Sequence, residues 1–215
     1  MKTSKIGVIG SGDVGKVLAA GFKKYGHDVT IGSREGNKLR EWSADQGIPE
    51  ATFAEVAAGA DIVVLAVLGR VAEDAIRLAG VDNLAGKTVI DATNPIAAAP
   101  PVNGVLQYFT GPNESLMERL QALAPAANFV KAFSSVGNPS MINPTYAGGR
   151  PTMFICGDNA DAKGVVTEIL DQFGWEAADM GRVTSARAIE PLCQLWCVLG
   201  FTGNEWTHAF KLLHR

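Results

Sequence analysis

The stretch KIGVIGSGDVGKVLAAGF, residues 5–22, decides the fold. A short apolar run over 5–9 passes through glycines into Val14, Val17, Leu18, Gly21, Phe22 and Tyr25, a spacing that lines one face of a helix. Strand, tight turn and helix are therefore adjacent, and Gly10, Gly12 and Gly15 stand as G-x-G-x-x-G between them. In that setting Gly10 makes the turn, Gly12 leaves room for a pyrophosphate and Gly15 lets strand and helix touch, while unpaired amides at the helix start face the anion. The same spacing also serves plain turns, but a strand before it and a helix after it favour a dinucleotide.

The next strand, read over 28–31, runs into Gly32, Ser33 and Arg34. A dinucleotide without an extra phosphate calls for an acid about 20 residues after the glycines, to accept its ribose hydroxyls. No acid stands at these three positions. Arg34 offers a planar donor fork to a 2′-phosphate, Ser33 a hydroxyl, and Lys38 a further positive charge from the start of the following helix. Alone, either cation reads as solvated surface; placed after the glycine turn, they predict NADPH rather than NADH.

Further along, Leu39 and Trp42 mark a mostly polar helix, and DIVVLAV at 61–67 is the central strand, apolar throughout as a strand covered on both faces must be. Helix 71–79, strand 88–90, helix 115–123 and strand 129–133 continue the alternation. Strand 152–156, the turn Gly157-Asp158 and a helix with Val165, Val166, Ile169, Leu170 and Phe173 on one side add a unit. The pattern predicts an α/β, Rossmann-like, mostly parallel sheet with helices on both faces. From 187 onward Ile189, Leu192, Trp196 and Leu199 form an apolar helical stripe, with a break expected near Gly200 and Gly203. Residues 1–180 thus read as an NADP-binding domain and 181–215 as a C-terminal helical appendage on the core or at a dimer interface, one structural domain overall. Proline- and glycine-rich loops over 94–112 and 134–150 fall where open α/β sheets bind ligands.

Composition sets the outer bounds. The chain has 215 residues, 47% hydrophobic and 19% charged, with 19 basic and 22 acidic residues and a net charge of −3. That excludes a disordered or nucleic-acid-binding chain and suits one core. No run reaches the roughly 18 apolar residues of a membrane span, and no cleavable leader opens the chain, so a cytoplasmic protein is expected. Cys156, Cys193 and Cys197 sit among apolar neighbours and read as buried thiols in a reducing compartment.

With these motifs in order, the sequence resembles the NADPH-dependent oxidoreductase family typified by archaeal deazaflavin (F420):NADP oxidoreductases, and its nucleotide module is similar to the cytoplasmic domain of the STEAP metalloreductases. The matching segments are GSGDVG at 10–15, GSR at 32–34 with Lys38, VVLAV at 63–67, DATNP at 91–95, VKAF at 130–133 and FICGD at 154–158. Asp179, Gly181, Ala186, Arg187, Glu190, Pro191 and Leu192 follow in the family's order. The resemblance implies a nucleotide cradle from Ser11, Asp13 and Val14 and 2′-phosphate contacts from Ser33, Arg34 and Lys38. It also implies backbone contacts from Ala66, Val67 and Leu68, and a nicotinamide approached by Asn94, Ala132, Ser134, Val136 and Gly137. A planar two-electron carrier, deazaflavin F420 or a flavin, is then the second substrate, and a homodimer with meeting C-terminal helices the assembly. Two departures bear on that acceptor: Leu68 stands where the family commonly has proline, and Ser134 where it has asparagine.

Hydride transfer between two cofactors needs them held together and needs no side-chain nucleophile, so no catalytic residue is assigned. His27 precedes the second strand, far from the expected site, and His208 and His214 lie near the end of the chain. Lys131 reads as a group beside phosphate or solvent, and Tyr146 as a ring covering the pocket or a partner of the second substrate. Asn94 suits a carboxamide but also spells a turn with Pro95; Ser134 and Ser135 either orient the acceptor or satisfy nearby backbone. Cys193 and Cys197 share a helical face with no histidine–carboxylate set beside them, and read as core or interface residues without a metal. Two rival functions remain: NADPH-dependent reduction of a small carbonyl, with Tyr146 as proton donor, and a non-enzymatic NADPH sensor.

Overall fold

The computed structural model describes residues 3–215. The elements follow as β1 Lys5–Ile9, α1 Asp13–Lys24, β2 Asp28–Ser33, α2 Arg40–Gln46, β3 Glu50–Thr52, α3 Phe53–Gly59, β4 Ile62–Leu65, α4 Ala72–Ala79, β5 Thr88–Asp91, α5 Leu116–Leu123 and β6 Asn128–Lys131. After them come β7 Thr152–Ile155, α6 Ala160–Gln172, β8 Glu176–Asp179, α7 Ala186–Ile189 and α8 Pro191–Gly203.

The first six strands pair in the order β3-β2-β1-β4-β5-β6, every pair parallel. Side chains alternate across the pleat. Ile6, Val8, Ile62, Val64, Ile90 and Val130 pack on one face with Leu18 and Phe22 of α1 and Val166 and Ile169 of α6. Ile9, Val63, Leu65, Val89 and Phe129 pack on the other with Val56 of α3, Ile76 of α4 and Leu120 of α5. This is the doubly wound arrangement, and its order reverses between β1 and β4, where ligands of such sheets bind.

Three expectations are corrected. β3 and α3 were not foreseen: Thr52 caps α3 by accepting from the Glu55 amide, and the Glu55 carboxylate returns to the Thr52 amide. The unit after residue 150 does not join the main sheet as a further strand. β7 and β8 form their own two-stranded parallel sheet, tied to β6 by one antiparallel bridge between Lys131 and Cys156, and β8 was also unforeseen.

The third correction concerns the C-terminus. α8 runs through Gly200 unbroken, because Gly200 makes room for the Trp206 ring, whose atoms would lie 2.2–2.3 Å from an added Cβ. The inward positions of α8 are Cys193, Trp196 and Gly200, whereas Leu199 of the expected stripe is exposed. Residues 204–215 contain no helix. They fold back as an extended arm in which His208 stacks on Trp196, the Phe210 carbonyl accepts from the Thr152 amide, and the Leu212 amide donates to the Thr152 hydroxyl.

Candidate functional site

The three glycines of the first turn prove to do different things. Gly10 has φ +139°, and an added Cβ would lie 2.1 Å from the Ala66 carbonyl oxygen, so the turn after β1 lies directly against the end of β4. At Gly15 a Cβ would lie 2.1 Å from the Gly10 carbonyl oxygen, which locks α1 onto the turn. Gly12 faces open space, with nothing within 4 Å of its Cβ position. As N-cap of α1 it brings no side chain to the helix amides, leaving those of Asp13 and Val14 to an anion. Ser11 is half-buried beside it. A cradle closed on both sides and open in the middle fits a dinucleotide pyrophosphate.

Beyond β4 the chain passes through Ala66, buried, and Val67, half-buried, to Leu68, 61% exposed. Gly69 next to it has a structural reason. A Cβ there would fall 1.9 Å from the Asn94 carbonyl oxygen, so only glycine lets this loop and the one after β5 meet.

At the end of β2 the residues do not divide the work as expected. Arg34 and Lys38 are exposed, and neither joins an ion pair among the described residues. Ser33, by contrast, is buried, and its hydroxyl donates to Oε1 of Glu50 at 2.6 Å while accepting from the Gly36 amide at 3.1 Å. The Glu50 carboxylate also takes the Leu39 amide on both oxygens at 2.9 Å. An acid is present at this corner after all, supplied by the neighbouring edge strand and turned toward the loop's own donors. It borders an open hollow of about 450 Å³ together with Gly36, Asn37 and Arg40, so the clamp stands at the surface. Sequence reading missed Glu50 because only the β2–β3 register brings it here.

Past β5 and β6, Asn94 donates its Nδ2 to the Ser134 carbonyl at 2.7 Å. Its Oδ1 and the Ser134 hydroxyl are both buried without a hydrogen-bond partner, a state that costs free energy unless something supplies the missing partners. Ala132, Ser134, Ser135 and Val136 are all buried, and Phe133 between them takes φ +61°, a strained conformation for a non-glycine residue. Gly137 carries the Trp196 ring of α8, which would lie 2.9 Å from an added Cβ. The C-terminal helix thus backs the loop from behind.

Lys131 corrects the expectation of a group beside phosphate or solvent. It is fully buried, with its ammonium 2.6 Å from Asp91 and 2.9 Å from Glu190, and donating to the Thr93 carbonyl at 2.9 Å. Burial works against its charge, but the two carboxylates outweigh burial and hold its pKa above the ordinary lysine value. Asp91 also accepts from the amide and hydroxyl of Thr93, and Glu190 accepts from the amides of Leu116 and Met117 that open α5. The network fixes the loop carrying Asn94 to the base of α8.

Tyr146 donates to the His208 carbonyl at 3.3 Å and so pins the C-terminal arm. His27 lies at the amino end of the sheet, accepting from the Ser4 amide at 3.3 Å. Burial pushes the Cys156 thiol up to about 12, out of the range of a reactive thiolate. Cys193 is buried and Cys197 half-buried on α8. Among the described residues no three histidine, cysteine or acidic side chains gather around a metal position.

Fold and site together define a dinucleotide-binding protein of the Rossmann type. The sequence profile described as NADP oxidoreductase, coenzyme F420-dependent, matches residues 5–95. The crystal structure of a candidate F420-dependent NADP-reductase from Arthrobacter sp. FB24 superposes with a TM-score of 0.92 at 32% identity, covering 98% of this chain and 100% of that one. The F420-dependent NADP reductase of Methanothermobacter thermautotrophicus is 29% identical over 211 residues, 89% of this chain and 87% of its own. Rat metalloreductase STEAP3 is 32% identical over 189 residues, 87% of this chain and 36% of its own, so the chain spans about a third of that relative's length. The chain belongs to the F420-dependent NADP oxidoreductase family.

Proposed function

We propose that this chain is an NADP-dependent oxidoreductase that passes a hydride between the nicotinamide C4 of NADPH and a planar two-electron carrier, the deazaflavin F420 or a flavin. The observation that carries the cofactor choice is the pair of unpaired cations, Arg34 and Lys38, on the loop after β2, where the buried position at the strand end is a serine and the Glu50 carboxylate is turned onto the loop's own donors. Two cations without protein partners beside an anion cradle suit the extra phosphate. Ser11, Asp13 and Val14 line the pyrophosphate turn around Gly12, and backbone at Ala66, Val67 and Leu68 follows it along the crevice. Asn94 Oδ1 and the Ser134 hydroxyl are the unpartnered groups that a nicotinamide carboxamide satisfies, with Ala132, Val136 and Gly137 forming the wall behind them.

The bound dinucleotide supplies the hydride, and the protein's part is to hold, orient and keep water from it. That matches a site whose nearby lysine is locked in a buried ion network and whose nearby tyrosine is committed to the C-terminal arm. A small-carbonyl reduction would need a proton donor there, and Tyr146 is engaged elsewhere. The family profile and the Arthrobacter relative support the deazaflavin among planar carriers.

The proposal extends to a cytoplasmic homodimer. Leu195, Leu199 and Phe201 of α8 are exposed, as are Val102 and Val105, whose turn meets α8 at Phe201 and Thr202 through Gly104. Free thiols throughout fit a reducing compartment. No helix among the described residues is long and apolar enough to cross a membrane. Sedimentation at working concentration is expected to give twice the 22.6 kDa chain mass, and a single-chain mass would refute the dimer.

The test of the reaction is anaerobic absorbance spectroscopy with NADPH and, in separate cuvettes, F420, a free flavin and a simple ketone. Rapid NADPH oxidation with F420 or flavin alone supports the proposal. Turnover with the ketone alone, or tight binding without turnover of any acceptor, overturns it.

A further inference from the structure

We infer that Glu50 is the positioning residue for recognition of the cofactor's 2′-phosphate, an inference that rests on the NADPH reading above and assigns a task to a residue outside the binding set. Glu50 opens β3, the edge strand, and its neighbour Pro49 accepts from the Ile31 amide of β2 at 2.9 Å. The register of that edge delivers one carboxylate to both ends of the loop over 33–39. At the near end it takes the Ser33 hydroxyl at 2.6 Å; at the far end it takes the Leu39 amide on both oxygens. Between them the Gly36 amide bonds to the same serine, and Gly36 itself lies against the backbone of Ala51 and Thr52.

Arg34 and Lys38 each stand one residue inside a clamped end. Long, flexible cations lose rotamer freedom when they grip a ligand, and a loop already fixed at both ends removes the backbone share of that cost. The carboxylate's charge is met by an O–H and an amide, and Glu50 joins no ion pair with Arg34 or Lys38. An acid at this corner therefore leaves both cations available for an incoming anion. It also explains the placement of Ser33: the hydroxyl belongs to the clamp, and the phosphate is left to the cations.

Isothermal titration of the full chain with 2′,5′-ADP and with 5′-AMP reads this without any turnover, because the two ligands differ by the 2′-phosphate alone. The wild-type chain is expected to bind 2′,5′-ADP the more tightly. Glu50→Ala is expected to weaken 2′,5′-ADP by about tenfold or more, the loss of charge-assisted hydrogen bonds expressed as affinity, and to change 5′-AMP by less than about twofold. Glu50→Gln keeps one acceptor and is expected to fall between, and it stands in if Glu50→Ala fails to fold by circular dichroism. Equal weakening of both ligands, or no change in either, overturns the positioning role while leaving the cofactor reading intact. A wild-type chain that binds the two ligands equally overturns both.

Discussion

The two ends of the crevice handle charge in opposite ways. After β2, Arg34 and Lys38 stand in solvent without protein partners, while the Glu50 carboxylate is turned inward onto the loop. After β5 and β6, Lys131 is buried between Asp91 and Glu190, and the groups left unsatisfied are neutral, Asn94 Oδ1 and the Ser134 hydroxyl. The difference teaches what each end is for. On the proposed reading, the end after β2 keeps its cations free for a phosphate, whereas the end after β5 and β6 uses charge only as internal bracing around the nicotinamide. Buried ion networks brace well because breaking one strands a charge.

The largest effect should come from the braced end. Lys131→Met leaves two carboxylates buried with no cation and is expected to cost about 3–5 kcal/mol in urea unfolding; a loss under about 1 kcal/mol would break the comparison. The raised folded pKa of Lys131 also fixes a sign. Its stabilisation is fully present below the unfolded lysine value of 10.5 and is lost only as pH rises through the higher folded value, so no loss from this residue is expected between pH 6 and 9.

The glycine turn sharpens the contrast between folding and binding. Gly15→Ala forces a Cβ toward the Gly10 carbonyl and is expected to lower stability by about 1–3 kcal/mol. At Gly12 an added Cβ meets nothing within 4 Å in the free protein, so Gly12→Val is expected to cost only a poorer helix cap, under about 1 kcal/mol, yet NADPH binding should weaken by about tenfold or more as the side chain fills the proposed phosphate position. If both variants lost stability alike, Gly12 would be a turn residue and nothing else.

At the open end, Arg34→Ala is expected to raise the KM for NADPH by about tenfold or more and to leave that for NADH within about twofold. The smallest effect belongs to an ordinary surface pair. Arg187 bonds to Glu118 across α5 and α7 and holds that carboxyl below its usual value, so its stabilisation is present above about pH 4.5 and fades as pH falls through the lower folded value. Arg187→Ala should cost under about 1 kcal/mol in thermal melts at neutral pH, and progressively less as pH falls below about 4.5.

What could be seen in the sequence was the repeating part. Periodicity of 2 and 3.6 and the G-x-G-x-x-G spacing revealed β1, α1, β4 and the helices around them, because their neighbours are their own sequence neighbours. β3 has three residues and no alternation to display, and α3 escaped although Thr52 and Glu55 spell a capping box. The clamp at Glu50 and the brace at Lys131 join residues that are distant in sequence, and such pairings carry no local signal. The end of the chain misled for a related reason: residues 181–215 read as a helical segment, whereas Trp206 and His208 set their rings on Gly200 and Trp196 from an arm that has no helix. Among the proposed site residues, Asn94 and Ser134 were marked by motif and stand together, whereas Ser33 was marked for the phosphate and is held by Glu50.

The central claim is that free cations after β2 select the phosphorylated dinucleotide. It is tested most directly by the dissociation constants of NADPH and NADH for the unaltered chain, read from quenching of tryptophan fluorescence at moderate ionic strength. The account predicts that NADPH binds at least about tenfold more tightly, a preference worth about 1.4 kcal/mol. Equal constants for the two would contradict it.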